Sequence, residues 1–102
     1  MKDQILRKLF LGFIQIHILH HASIEPIYGS WMMAELANHG YDISPGTLYP
    51  LLKQMEQGGL LTQEAIVVDG KTRKYYRTTT VGDEVLLEAK LKSKELTNEI
   101  QD

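Results

Sequence analysis

Apolar residues recur at three- and four-residue intervals through the N-terminal part of the chain. This spacing, seen at Ile5, Leu9 and Phe13 and again at Leu6, Phe10, Ile14 and Ile18, predicts a first helix from about Lys2 to His21. Three more apolar side chains give the helix a second apolar face: Leu11, Ile16 and Leu19. A helix that is apolar on more than one side must be covered on more than one side. In a chain of 102 residues, a partner subunit is the economical way to cover it.

Two shorter helices separated by a turn are predicted next. The apolar pattern breaks at Ser23 to Pro26 and resumes in a helix from about Tyr28 to His39. Gly40 ends this helix, because glycine accepts the left-handed conformation that follows many helices. A third helix extends from Pro45 to about Gln57, with Ser44 as its N-cap. Proline suits the first helical position, where its missing N–H is not needed.

A hairpin and a last helix complete the predicted order of elements. Two strands, Glu64 to Val68 and Thr72 to Thr78, flank Asp69-Gly70, a dipeptide that favours a two-residue hairpin turn. Thr79 then caps a final helix that extends to about Ile100. The sequence therefore predicts a mainly α chain with a small β-hairpin. Its fold class is a winged helix-turn-helix with an additional C-terminal helix, in a single structural domain.

Composition excludes several classes of protein. The chain has no cysteine, which rules out disulfides and thiolate metal sites. Charged residues, a glutamine and histidines interrupt the apolar N-terminal segment, so it does not predict a membrane span. A signal peptide is not expected either, because no small-residue cleavage site follows within range and the apolar pattern continues as a helix, and we expect a cytoplasmic protein. The sequence contains no recognisable nucleophile motif and no glycine-rich phosphate loop, so we expect no enzyme activity.

Positive charge is concentrated at the predicted hairpin tip. The formal net charge of −2 argues against a nucleic-acid partner, but Lys71, Arg73, Lys74 and Arg77 fall within seven residues. These side chains repel one another and do not suit a core, so an anionic partner explains them better than stability does. An intramolecular ion pair is an alternative for Arg77.

The third helix has one apolar face and one polar face. The apolar face, predicted to lie in the core, carries Leu48, Leu51, Leu52 and Met55. The polar face is suited to the major groove of DNA, and the free N–H groups at the start of the helix suit a phosphate. Reinforcement of the cap by Thr47 and packing of Tyr49 against the turn are the alternatives. The predicted DNA-binding residues are Ser44, Pro45, Gly46, Thr47, Tyr49, Lys53, Gln54, Lys71, Arg73 and Lys74.

A group of histidines lies near the end of the first helix. His17 and His21 share a helix face, and His20 lies beside them. Two histidines leave the coordination of a metal ion incomplete, so a place at a dimer surface or near a helix end is favoured. A pH-sensitive dimer contact is an intermediate possibility, since histidine titrates near neutrality. We predict no metal site and no cofactor.

The chain resembles the PadR-like transcriptional regulators, in particular the short class with one C-terminal helix. The resemblance covers most of the chain and keeps the order and spacing of the family motifs. The residues that carry it are Tyr28-Gly29, SPGTLYP at Ser44 to Pro50, Gly59-Leu60-Leu61, Gly70, Arg73-Lys74-Tyr75-Tyr76, Thr79 and Gly82. The SPGTLYP and RKYY segments are more discriminating than a generic helix-turn-helix pattern.

The resemblance implies a homodimer that binds palindromic double-stranded DNA. Residues 1–79 would be the winged helix-turn-helix domain, including the N-terminal helix, and residues 80–102 the dimerisation helix. Family members usually repress transcription, and several release DNA when a small hydrophobic or aromatic effector binds. The apolar positions that we assign to the dimer interface are Leu9, Phe13, Val85, Leu86, Ala89, Leu96 and Ile100.

Two departures from the family pattern change these expectations. Thr78 replaces a residue that is commonly aliphatic, so we expect a looser start of the last helix. The last helix has no aromatic residue, and Trp31 is the only tryptophan, so a multidrug-type pore is not expected. The alternative function is a winged-helix module that binds protein through the same surfaces, without specific DNA binding.

Overall fold

The computed structural model describes residues 1–101. Its elements are α1 (Lys2–Ile24), α2 (Gly29–Asn38), α3 (Pro45–Gln57), β1 (Leu61–Val68), β2 (Lys71–Thr78) and α4 (Thr80–Ile100). The predicted fold class is therefore confirmed. Asp102, the end of the predicted segment 80–102, lies outside the described residues.

The first helix is longer than its apolar pattern indicates. It ends at Ile24 rather than His21. The Ser23 hydroxyl donates a hydrogen bond to the His20 carbonyl oxygen at 2.6 Å, so the polar side chain supports the last turn instead of breaking it. Glu25 then adopts an extended conformation, as expected for a residue before proline.

The hairpin also begins earlier than predicted. β1 starts at Leu61 rather than Glu64, because the buried Leu61 pairs with Thr78 at the base of the sheet. β2 starts at Lys71 rather than Thr72, paired with Val68. The predicted turn is correct: Asp69 and Gly70 have φ values of 52° and 76°, and a type I′ turn requires both to be positive.

The core lies between the first three helices and the base of the hairpin. Its largest fully buried side chains are Ile18, Leu19, Ile27, Met32, Leu36, Leu48, Leu52 and Leu61. The four apolar residues predicted for the inner face of α3 are all buried. Burial of this face fixes which side of α3 remains available to a partner.

A short bridge attaches the hairpin to the segment before α2. The Ile27 N–H donates to the Tyr76 carbonyl oxygen at 2.9 Å, and the Tyr76 N–H donates to the Ile27 carbonyl oxygen at 2.7 Å. The Tyr76 side chain is buried in the core, whereas Tyr75 is half-buried on the other face of the strand. The two adjacent tyrosines thus lie on opposite faces of β2.

The start of α4 is held by side-chain hydrogen bonds. Thr79 is the N-cap, and its hydroxyl accepts a hydrogen bond from the Gly82 N–H at 3.0 Å. The Thr78 hydroxyl donates to the Asp83 carboxylate at 2.6 Å. The expectation of a looser helix start at Thr78 is therefore wrong, because the hydroxyl gains a charged partner that an aliphatic residue could not bind.

Candidate DNA-binding surface

A cleft separates the hairpin from the helix-turn-helix. One wall is the N-terminal end of α2 with Tyr49 of α3, and the other is β2. The residues that line it include Tyr28, Gly29, Ser30, Tyr49, Asp69, Lys71, Arg73 and Lys74. The folded chain thus brings one predicted helix residue and all three predicted wing cations to the same surface.

Tyr49 projects from α3 against the first residue of α2. A Cβ atom placed on Gly29 would lie 2.5 Å from Cε1 of the Tyr49 ring, so only glycine permits this approach. The ring packs where α3 meets the first residue of α2, yet 47% of Tyr49 remains exposed. Tyr49 therefore packs against the start of α2 rather than against the turn before α3, and its exposed part lines the cleft.

Arg73 is held in place by two aromatic side chains. Its guanidinium carbon lies 4.0 Å from the centroid of the Tyr28 ring, within the range of a cation–π interaction. A hydrogen bond with the Tyr75 side chain is the main cause that raises the pKa of Arg73 above its ordinary value. Arg73 thus packs on aromatic side chains outside the core, while Lys71 and Lys74 are exposed.

Electrostatically, the cleft favours an anion. Three cationic side chains, Lys71, Arg73 and Lys74, face one carboxylate, that of Asp69. Because cations predominate here, the surface can attract phosphate although the whole chain is slightly acidic.

The remaining predicted DNA-binding residues lie elsewhere on α3. The Ser44 and Thr47 hydroxyl oxygens are 3.4 Å apart, and both residues line a depression next to α1. Thr47 is half-buried, which favours a role in the local structure at the start of the helix over the predicted groove-facing position. Four more predicted residues are exposed along α3: Pro45, Gly46, Lys53 and Gln54.

Two cleft residues were not among the predicted DNA-binding residues. Tyr28 and Ser30 flank the first residue of α2, at the end of the helix that faces the hairpin. The family motif includes Tyr28, but nothing in the local sequence indicates that it would stack on Arg73. Tyr28 and Ser30 lie beside the hairpin because Ile27, just before them, forms a bridge with Tyr76, which is distant in the sequence.

The predicted dimerisation residues differ in exposure. Leu86 and Ala89 are half-buried, and Leu86 packs against the core of its own chain. The other five are exposed: Leu9, Phe13, Val85, Leu96 and Ile100. Leu87 and Leu91, which the prediction omitted, are 58% and 60% exposed and add apolar surface to α4.

The histidines of α1 meet a third histidine from α2. One ring nitrogen of each of His17, His21 and His39 lies within 4.8 Å of the others. Burial, reinforced by the neighbouring histidines, lowers the pKa of His17. Burial also lowers the pKa of His21, although Glu35 acts in the opposite direction. The expectation of no metal site counted only the pair on α1 and missed His39, which tertiary packing contributes.

These elements define the class of the protein. A helix-turn-helix beside a hairpin with basic side chains is the arrangement of winged-helix DNA-binding proteins. A family model described as the transcriptional regulator PadR-like family matches residues 18–88. The chain belongs to this family: it is a DNA-binding transcriptional regulator and not an enzyme. Among residues 1–101, no helix is long and apolar enough to cross a membrane.

Individual relatives match nearly the whole chain. The transcriptional regulator Rv3488 of Mycobacterium tuberculosis is 43% identical over 95 residues, which are 93% of this chain and 89% of that protein. A PadR-like transcription factor from Bacteroides fragilis has a TM-score of 0.83 at 30% identity, covering 97% of each chain. A PadR family regulator from Eggerthella lenta has a TM-score of 0.78 at 35% identity, covering 98% of this chain and 92% of that one.

Proposed function

We propose that the protein is a homodimeric repressor that binds a palindromic operator. In this proposal the two α3 helices enter successive major grooves, about 34 Å apart, and the hairpins hold the flanking phosphates. A regulator that binds operator DNA would act in the cytoplasm.

The observation that carries this proposal is the shared surface of α3 and the hairpin. Tyr49 reaches the same cleft as Lys71, Arg73 and Lys74. A duplex that contacts this surface would meet a helix suited to base edges and a cluster of cations suited to the backbone. Lys53 and Gln54, exposed on α3, are the residues that we propose for base contacts.

Exposed apolar surface on two helices supports the homodimer. In the first half of α1, the exposed large apolar residues are Ile5, Leu6, Leu9, Phe10 and Phe13. In α4, every residue from 90 to 100 is exposed, including Leu91, Leu96 and Ile100. An isolated helical segment of this length is only marginally stable in water. A second copy that packs its own α1 and α4 against these faces would cover both, and a closed twofold dimer matches a palindromic site.

A groove between α1 and α4 is our proposed binding place for a small hydrophobic or aromatic effector. Phe13 and Ile16 form one side, and Leu86 forms the other, with His20 and Lys90 at the rim. A ligand there would contact both helices of the proposed dimer interface, so its binding could change the spacing of the two α3 helices. A thermal-shift screen of aromatic compounds tests this assignment, and Phe13→Ala, at an exposed residue of the groove, should reduce the shift.

Fluorescence anisotropy tests the DNA-binding proposal directly. The probe is the DNA upstream of the protein's own gene, measured across a salt series with an unrelated duplex as control. We expect preferential binding with a steep dependence on salt. Repression is tested by transcription in vitro from the same DNA, where the protein should lower transcript yield. A failure to bind either duplex at low salt would contradict the proposal and favour a protein partner.

A further inference from the structure

Three histidines and one glutamate converge where the end of α1 meets the end of α2. His17 and His21 are four residues apart on α1, His39 is the C-cap of α2, and Glu35 lies four residues before it. We propose that these four side chains bind one divalent transition-metal ion of the Zn²⁺ or Ni²⁺ type. The site would be independent of the cleft between the hairpin and α3.

The distances already approach those of a tetrahedral site. Oε2 of Glu35 is 3.3 Å from Nε2 of His21 and 3.0 Å from Nε2 of His39. Metal–ligand bonds of about 2.0–2.1 Å place neighbouring ligand atoms about 3.3–3.4 Å apart. The three histidine nitrogens lie within 4.8 Å of one another, and Glu35 contacts two of these histidines, His21 and His39. In the proposed site, the His17 side chain would move closer to the ion to complete the set of four ligands.

The chemistry of the four ligands selects the class of ion. Three imidazoles with one carboxylate suit Zn²⁺, Ni²⁺, Co²⁺ or Cu²⁺, whereas Mg²⁺ and Ca²⁺ require mostly oxygen ligands. A merely structural role explains the pairing of Glu35 with His39, which are neighbours on one helix. It does not explain why His17 and His21, from a different helix, direct two more imidazoles to the same place.

The surroundings suit a partly shielded ion with one open side. The Trp31 ring centroid is 5.4 Å from that of His21, and the Tyr41 ring centroid is 5.5 Å from that of His17. The side chains of His21 and Glu35 are 19% and 23% exposed, while that of His39 is 45% exposed. An ion would therefore reach the site from the side of His39.

Binding would connect α1 to α2 next to the turn that leads to α3. This consequence rests on the proposed function, in which α1 contributes to the dimer interface and α3 contacts DNA. An ion that fixes the angle between α1 and α2 would set the spacing of the two α3 helices in the dimer. Metal binding would then change DNA affinity, by about fivefold or more for a typical coupling between two sites.

The first experiment measures metal binding without DNA. Trp31 is the only tryptophan in the chain, so its fluorescence reports on this region alone. The full-length protein, without a tag and freed of metal with EDTA, is titrated with Co²⁺, a quenching ion. We expect saturable quenching at one ion per chain, reversed by Zn²⁺ through competition. Quenching that does not saturate, or that Zn²⁺ does not reverse, would overturn the proposal.

Variants identify the ligands. His39→Ala and Glu35→Gln should each weaken Co²⁺ binding by at least about tenfold, since even the loss of an outer partner of a ligand has effects of this size. His20→Ala is the matched control, because His20 is also a histidine of α1 but lies outside the cluster. Circular dichroism verifies that each variant is folded. Unchanged binding by His39→Ala, or an equal loss in His20→Ala, would overturn the assignment.

The second experiment adds operator DNA to the same proteins. The dissociation constant for DNA is measured with EDTA and with a small excess of Zn²⁺, and the wild type should differ between the two while His39→Ala should not. If Co²⁺ binds as expected but Zn²⁺ leaves DNA affinity unchanged, the metal site stands and its regulatory consequence is overturned. If neither protein binds DNA, the proposed function fails and the metal site is judged by fluorescence alone.

Discussion

The Thr79 hydroxyl donates a hydrogen bond to the Gly59 carbonyl oxygen, 20 residues earlier in the chain, at 2.5 Å. The Thr79 hydroxyl oxygen in turn accepts a hydrogen bond from the Gly82 N–H at 3.0 Å, and the Thr79 N–H donates to the Leu60 carbonyl oxygen at 3.1 Å. One residue thus connects the turn after α3 to the first turn of α4. In the proposed dimer, this connection joins the helix that reads DNA to the helix that holds the partner.

Removal of the Thr79 hydroxyl should therefore destabilise the chain. Thr79→Val keeps the shape of the side chain but loses both hydrogen bonds, and we expect the free energy of unfolding to fall by about 1–2 kcal/mol. Urea denaturation followed by circular dichroism measures the change. Thr79→Ser, which retains the hydroxyl, is the control and should lose much less. Equal stability of the valine and serine variants would contradict the assigned role.

The close approach of α4 to the turn after α3 predicts a second sensitive position. A Cβ atom on Gly82 would collide with the Leu60 carbonyl group, which is backbone and cannot rotate away. Gly82→Ala should lower the free energy of unfolding by about 1–3 kcal/mol through this overlap.

Gly12→Ala is the matched control, since a Cβ there meets no atom of residues 1–101 within 4 Å. It should stabilise the helix by about 0.5–1 kcal/mol. Urea denaturation at one protein concentration compares the two variants. A loss of stability in Gly12→Ala comparable with that in Gly82→Ala would show that the collision is not the cause.

The stacking of Arg73 on Tyr28 predicts two separable effects on DNA binding. Arg73→Ala removes a charge, so it should weaken binding to all duplexes and reduce the salt slope by about 1. Tyr28→Leu removes the stacking partner but no charge. It should weaken binding by about twofold to fivefold, equivalent to 0.5–1 kcal/mol, with the slope unchanged.

Anisotropy titrations at several salt concentrations measure both effects. Arg77→Ala is the control, because Arg77 is an exposed cation of the same strand but lies outside the cleft. The wing assignment would be wrong if Arg73→Ala kept the wild-type affinity and slope, or if Arg77→Ala reproduced its effect.

Burial of Tyr76 predicts a loss of stability in alkali. Burial, with a smaller effect from Glu56, raises the pKa of Tyr76 above its ordinary value of 10.0. The folded chain therefore holds this proton at pH values where the unfolded chain has lost it. The stabilisation is fully present below pH 10 and is lost as the pH rises through the folded-state pKa.

Tyr76→Phe lacks this proton, so its free energy of unfolding should fall less steeply in the pH range above 10.0. Urea denaturation of both proteins across this range measures the slopes, and the pair is first compared at pH 7 to correct for any packing difference. Parallel curves for the two proteins would show that Tyr76 does not contribute to the alkaline transition.

The exposed second half of α4 predicts the effect of a charge at the proposed dimer interface. Leu96 is 50% exposed and lies in a segment where all residues are exposed, so Leu96→Glu should leave the fold of one chain intact. A buried carboxylate at the interface would oppose dimerisation. Light scattering after gel filtration should show the mass falling from that of a dimer to the 11.6 kDa of one chain.

Asn98→Glu is the control for that experiment. It adds the same charge two residues away, at an exposed polar position of the same helix. We expect it to remain dimeric. A wild-type protein that is monomeric at all concentrations, or two variants that behave alike, would refute the proposed interface.

Local rules explain what could be predicted from the sequence by itself. The turn at Asp69-Gly70, the start of α3 at Pro45 and the cap at Thr79 depend on the conformational preferences of a few adjacent residues, and all three are present in the structure. The inner face of α3 follows in the same way from helical periodicity. These features determined the fold class and directed attention to α3 and the hairpin tip.

Contacts between distant residues decided the rest. The bridge from Ile27 to Tyr76 places Tyr28 under Arg73, and the packing of α2 on α1 brings His39 to His17. Such pairs are set by how buried faces fit together in three dimensions, a relation that no local pattern contains. For this reason, the sequence determined the elements and their chemistry, whereas the tertiary structure decided which side chains share a site.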